Sequence, residues 1–303
     1  MTRLLTFSLV CVFASCCAQD LPGIGPVGDA KRLFTGFAFT EGPAADGEGN
    51  LYFTDIPNAT IHKVDRAGKL FAFTKESRHS NGLMVVGGRL LACEMDGQLV
   101  AHDLKTGERS VLIDKHNGQR FNACNDLVID KTGGIYFTDP RFRAPEPWPQ
   151  VKEAVYYLSA DGKVKRLIDD RIAPNGVILS PDEKTLYVIP SMEETMWAYA
   201  VEAPGKIGKG RVLCRTTLAE GKSNSGGDGL AVDTNGNLYI TTGLGLQVFS
   251  PEGKQLGIIP VPEHPANVTF GGPGNHTLFV TARKSLYAIE TKATGHVFTG
   301  PSR

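Results

Sequence analysis

Little in this chain offers a nucleophile, a soft metal ligand or a field of one sign. Lys and Arg number 32 and Asp and Glu number 32, so the formal net charge is zero. That leaves no electrostatic case for nucleic acid or an anionic membrane surface as partner. Cysteine is scarce. Of six, Cys11, Cys16 and Cys17 fall near the start, while Cys93, Cys124 and Cys214 stand at wide, unrelated spacings. No CxxC occurs, so a cysteine zinc site is excluded and small buried thiols are expected, with at most one disulfide. The absence of GxSxG and HExxH removes the commonest serine and zinc hydrolase signatures. Aromatic residues make up only 8% of the chain, and no segment keeps a 3.6-residue apolar period. A GxGxxG string runs from Gly23 to Gly28, but no strand precedes it and no helix follows, so it is not a dinucleotide loop.

Long apolar runs are absent as well. The one near the N-terminus, Leu4 to Ala14, follows Arg3 and ends in small residues before Gln19-Asp20. It is too short to span a bilayer and reads as a secretory signal over residues 1–18, with Ala18 the last residue removed. The alternative is lipidation of Cys16, for which Phe13 is a poor match. The expectation is an exported protein, periplasmic or secreted, with no integral membrane span. Residues 19–30 would be a linker and 31–303 a single domain.

What the chain does have is glycine, proline and repetition. The 35 Gly and 18 Pro are dispersed, as in a turn-rich β protein. A short apolar strand recurs six times: GNLYFTD, GRLLACE, GGIYFTD, KTLYVIP, GNLYITT and HTLFVTA. Aligned on Leu51, Leu90, Ile135, Leu186, Leu238 and Leu278, the intervals are 39, 45, 51, 52 and 40 residues. Another strand and a polar turn follow, such as DRAGK at 65–69 or SPEGK at 250–254, with the Asp and Gly that hairpins require. This period predicts an all-β, six-bladed β-propeller, one blade per repeat. The segment 31–39 would close the ring beside the last strands. One long insertion, RFRAPEPWPQVKE at 141–153, is either a rigid surface loop or a partial lid.

A polar residue precedes each repeat strand at a near-constant distance: Glu41, Asn81, Asn125, Asn175, Asp228 and Asn267. The first strand of each blade lines a propeller's central channel, so these six form a ring about the axis. Two carboxylates facing each other in a narrow channel repel unless a cation neutralises them. Amide and carboxylate oxygens suit Ca²⁺, with Mg²⁺ or Mn²⁺ as alternatives and Zn²⁺ a poorer fit. Any one Asn-Gly pair could be a plain turn; six in phase predict a metal-binding central channel.

The strings FTEGPAAD, RFNACNDLVIDKTGGIYFTDPRF, APNGVILSPDEKTLYV and GDGLAVDTNGNLYITTGLGLQVFSPEGK resemble, in order and spacing, the regucalcin/gluconolactonase family of calcium-dependent lactonases. The similarity spans residues 35–290. It implies a divalent cation held by Glu41, Asn175 and Asp228, with Asn125 as fourth channel residue and Arg120 holding substrate oxygens. Met95 departs from the His common in gluconolactonase-like members, which bears on the substrate. The function expected is hydrolysis of a sugar lactone to its acid, with Asp228 as base and Glu41 second. Arg120, Asn125, Asn81 and Glu94 would orient the substrate. The alternatives are another ester, aryl lactone or phosphotriester at the same site, favoured by an apolar lid and mouth, or a non-catalytic calcium-binding propeller. A monomer is expected.

Overall fold

The computed structural model of the chain describes residues 21–224 and 226–301, so the signal-peptide and Cys16 expectations lie outside the described residues. Six antiparallel sheets of four or five strands and one two-stranded ribbon make up the sheet structure. Each of the six is one blade with meander pairing, except that in the fourth both Lys206–Ile207 and Arg211–Arg215 pair with Thr195–Ala203. The first blade takes Thr40–Ala45, Leu51–Asp55, Thr60–Val64 and Leu70–Thr74. The second runs from Ser80–Val86 to Arg109–Ile113, and the third from Leu127–Ile129 to Val164–Ile168. The fourth begins at Pro174–Leu179, the fifth at Leu230–Val232 and the sixth at Pro265–Gly271. The sixth blade is completed by Lys31–Thr35, which pairs antiparallel with Ser285–Glu290.

Why these residues make strands is clearest at the second strand of each repeat. Leu51–Asp55, Ile135–Asp139 and Leu238–Thr242 are buried at every position, because neighbouring blades cover both faces. Such strands read as continuous apolar runs rather than alternating ones. The outermost strands, such as Leu70–Thr74 and Arg109–Ile113, are largely exposed. Turn chemistry follows the sequence: Asp65 Oδ1 accepts from the amides of Ala67 and Lys69, and Gly68 takes φ +80°.

Residues 21–30 are more than a linker. Leu21 is 2% exposed, packs in the apolar cluster containing Leu246, Ile259 and Val280, and presses on Gly257. The amide of Lys292 donates to Ile24 O. At the far end, residues 291–301 run across one face of the propeller. His296 N donates to Val232 O, and Phe298 packs on the cores of the second to fifth blades. Cys93, Cys124 and Cys214 are buried free thiols.

Candidate functional site

Each inner strand is broken at its polar residue. The register slips between Glu41 and Ala44, Ser80 and Leu83, Pro174 and Val177, and Pro265 and Asn267. In the third and fifth blades the regular strand starts only after Asn125 and Asp228. A bulge bends the strand and re-aims a side chain, which is how the polar set turns to the axis.

The glycine that follows Glu41, Asn81, Asn175 and Asp228 packs the blades together. A Cβ on Gly42, which has φ +42°, would lie 1.9 Å from Asn81 O, and one on Gly229 2.0 Å from the Asn267 side chain. Gly82 N donates to Asn125 O at 2.7 Å, and Gly176 N to Asp228 O at 3.1 Å. Thr54 Oγ1 donates to Asn81 O, Thr241 Oγ1 to Gly229 O and Thr281 Oγ1 to Asn267 O. Asn81, Asn125, Asp228 and Asn267 are therefore held by the backbone or the Thr of the blade before them or of their own. The turn-like Glu-Gly, Asn-Gly and Asp-Gly pairs are the stitches of the channel.

Glu41, Asn81, Asn125, Asn175 and Asp228 form the floor of a 430 Å³ cavity at one mouth. Glu41 is 2% exposed and its Oε2 accepts from Gly42 N at 2.8 Å. Its carboxyl also meets the side chains of Asn267 and Asp228, and burial pushes its pKa up to about 7 despite those hydrogen bonds. Asp228 is raised well above the carboxylate range by burial first and by the neighbouring Glu41 charge second, while Asn175 hydrogen-bonds to it. Asn175 donates Nδ2–H to Ser191 Oγ at 2.8 Å, which leaves Oδ1 for a cation. Asn267 Oδ1 instead accepts from Val268 N at 2.8 Å, so this residue serves Glu41 and is not placed to ligate.

This donor set fits a hard divalent cation. Among the described residues, no group of three or more His, Cys, Asp and Glu is arranged to hold a metal. The ring offers two carboxylates and the rest as amides, an all-oxygen set without the nitrogen or sulfur that zinc prefers. Two carboxyls in contact, neither in an ion pair with Lys or Arg among the described residues, are the arrangement a cation would relieve.

Two predicted substrate-binding residues are not brought to the cavity. Glu94 is buried and clamped by Arg109, whose Nε and Nη2 each donate to it at 2.7 Å. Its repeat position explains this. Asp55 and Asp139 stand at the same point of their blades and hold loop amides, Asp55 those of Ala38 and Phe39 and Asp139 those of Asn122 and Ala123. Arg120 points its guanidinium at the carbonyls of Phe121, Asn122 and Met95 and braces the ribbon formed by Lys115–His116 and Gln119–Arg120. Asn81 does reach the cavity, with its Nδ2 4.0 Å from Met95 Sδ.

Apart from Met95, already singled out as bearing on the substrate, the walls are residues that the sequence reading did not name. Ile56, Met95, Ser191 and Arg283 each follow the last residue of the repeat strand, at the same offset in four blades, so the repeat itself carried the signal. Phe39, Asn224 and His264 come from the loops leading into inner strands. The 141–153 insertion adds Phe142 and Arg143 to the mouth. Its base is pinned by Gln150, whose Nε2 donates to the carbonyls of His116, Gln119 and Arg120 and whose Oε1 accepts from Arg166.

With this geometry in place, comparison with known proteins is decisive. The family described as SMP-30/Gluconolactonase/LRE-like region matches residues 39–284. The chain belongs to this family. It is 32% identical over 285 residues to the gluconolactonase of Zymomonas mobilis, covering 85% of this chain and 80% of that one. The X-ray structure of a family-assigned gluconolactonase superposes with a TM-score of 0.83 at 28% identity, covering 92% and 97% of the two chains. A gluconolactonase from Xanthomonas campestris gives 0.78 at 29% identity, covering 86% and 89%.

Proposed function

We propose that this SMP-30/gluconolactonase-family protein is a metal-dependent lactonase whose divalent cation is held by Glu41, Asn125, Asn175 and Asp228. The observation that carries the reading is the convergence of two carboxyls and three amides on the floor of an open 430 Å³ cavity. Relatives named gluconolactonase and lactonase support lactone hydrolysis as the reaction class. Ca²⁺ is the cation the all-oxygen donor set favours.

When bound, the cation supplies a Lewis acid for the lactone carbonyl and lowers the pKa of a water. The protein does the rest. Asp228 is the less buried of the two carboxyls that line the cavity, Glu41 being 2% exposed, so Asp228 is the base that takes a proton from the attacking water. As the ring C–O bond breaks, that proton returns to the departing alkoxide. Glu41, fixed by Gly42 N and Asn267, holds its charge in place. Ser191 orients Asn175. Phe39, Ile56 and Met95 wall the site and limit bulk water.

A sugar lactone such as glucono-1,5-lactone is the first substrate to test. The apolar wall and the diversion of Arg120 to backbone carbonyls favour a second reading, a lactone or ester with a less hydroxylated body. Hydrolysis is followed by pH-stat after EDTA treatment, with Ca²⁺, Mg²⁺, Mn²⁺ or Zn²⁺ restored, beside Asp228→Ala. Turnover that returns with metal and is lost in the variant supports the site. Stoichiometric cation binding without turnover of any lactone or ester leaves a calcium-binding propeller. We also infer export after signal removal, which the N-terminal mass of the mature protein tests.

A further inference from the structure

The mouth of the cavity carries a charge pattern that lactone hydrolysis alone does not require. Two arginines, Arg143 from the insertion and Arg283 from the sixth blade, line it together with His264. Among the described residues, its acidic lining residues are Glu41 and Asp228, at the floor. Neither arginine forms an ion pair among the described residues, and the Arg283 guanidinium lies 5.9 Å from the Phe39 ring.

Arg283 is also held in an unfavourable backbone conformation. It occupies the two-residue turn between Thr277–Ala282 and Ser285–Glu290 with φ +48°, a region that side chains rarely adopt and where Gly is the usual choice. Its carbonyl accepts from Thr40 N, which fixes the turn directly beside Glu41. A strained residue at a site mouth, with an unpaired guanidinium, is what a ligand contact leaves behind. The His264 pKa is lowered by burial first and then by the charges of Arg283 and Lys222, so the imidazole does not add to the positive charge at neutral pH.

We propose that the lactone opened here carries an anionic substituent on an apolar body, the anion bound by Arg283 and Arg143 and the body lying on Phe39, Ile56, Met95 and Phe142. Guanidinium groups pair with carboxylates and sulfonates through parallel N–H donors. This inference rests on the lactonase reading for its substrate and on the two arginines for its anion.

Two measurements separate these. The first compares γ-valerolactone with γ-carboxy-γ-butyrolactone, which carry a methyl and a carboxylate at the same ring carbon. The carboxylated lactone should have a kcat/KM higher by about tenfold or more, with a KM that rises with salt. The ratio should fall toward unity in Arg283→Gln and Arg143→Gln, with Arg283→Lys in between. The second is calorimetric titration of the Ca²⁺-loaded protein with benzenesulfonate, an aromatic anion that coordinates metal weakly, against benzyl alcohol. Benzenesulfonate should bind more tightly, and both Gln variants should lose that advantage. A parent ratio at or below unity, or benzenesulfonate binding indifferent to both substitutions, overturns the proposal even if lactones are hydrolysed. Arginine-dependent benzenesulfonate binding with no lactone opened under any cation upholds the anion site and overturns the lactonase reading instead.

Discussion

The two ends of the channel are built from the same six strands and behave differently. One mouth is the 430 Å³ cavity above the ring. The opposite mouth is larger, about 610 Å³, and is lined by the inner strands beyond the ring, by Asp126 and Asn267, and by His296 to Phe298 of the C-terminal segment. Volume alone would choose the end away from the proposed site. At the larger mouth the polar oxygens are engaged by their neighbours: Asp126 Oδ1 accepts from Leu127 N and Asn267 Oδ1 from Val268 N. At the smaller one two carboxyls, Glu41 and Asp228, meet each other, and Asn175 has its nitrogen on Ser191 and its oxygen unclaimed. A site is marked by donors that converge and remain available, not by space.

That contrast can be broken from either end. The largest effect expected is at the ring floor, where Asp228→Ala should lower kcat by about a thousandfold, while Arg66→Ala at the larger mouth should leave the rate within about twofold. Comparable losses from both would erase the distinction between the ends. Next is the stitching. Gly42→Ala forces a Cβ onto Asn81 O at a positive φ, and chemical denaturation should show a loss of about 3 kcal/mol or more. Gly68→Ala, with φ +80° but open space around it, should cost only about 1 kcal/mol. Smaller again, Ser191→Ala should weaken Ca²⁺ binding about tenfold in a calorimetric titration, because Asn175 loses the group that orients it.

The smallest effect is a pH dependence. Burial raises Glu41 from 4.5 and Asp126 from 3.8, each to about 7. The cation-free fold therefore holds protons that the unfolded chain releases in mild acid. Stability from these groups is complete below their unfolded values and is lost as pH climbs toward about 7. A cation that fixes Glu41 ionised removes that share of the loss. The Tm gap between Ca²⁺-loaded and EDTA-treated protein should widen from about pH 5 to about pH 7.5, and a constant gap would show that the Glu41 carboxyl does not meet the cation.

How much of this could be read from the sequence depended on repetition. The blades and the polar ring recur six times, so alignment of the chain with itself exposed them, and Glu41, Asn125, Asn175 and Asp228 do lie together. Glu94 misled because an acidic residue beside a channel looks functional. Only its equivalence with Asp55 and Asp139 reveals a loop anchor, here diverted to Arg109. Arg120 misled because sequence cannot show a guanidinium folding back on three carbonyls. Leu21, Ile24 and Phe298 left no signal, since isolated apolar residues outside any period look like linker until their packing is seen. Arg143 and Arg283 come from a loop and a turn, where geometry rather than residue type decides what faces the cavity.

The pairing of Lys31–Thr35 with Ser285–Glu290 has a consequence for how the molecule comes into being. Thr35 Oγ1 and Ser285 Oγ, 2.9 Å apart, are separated by 250 positions along the chain. During synthesis the opening strand must wait, unpaired, until nearly the whole polypeptide exists, so the toroid shuts late and in a single long-range event. Joining the native ends and reopening the chain between two other blades would move that delayed seam elsewhere and let residues 31–35 find their neighbours at once.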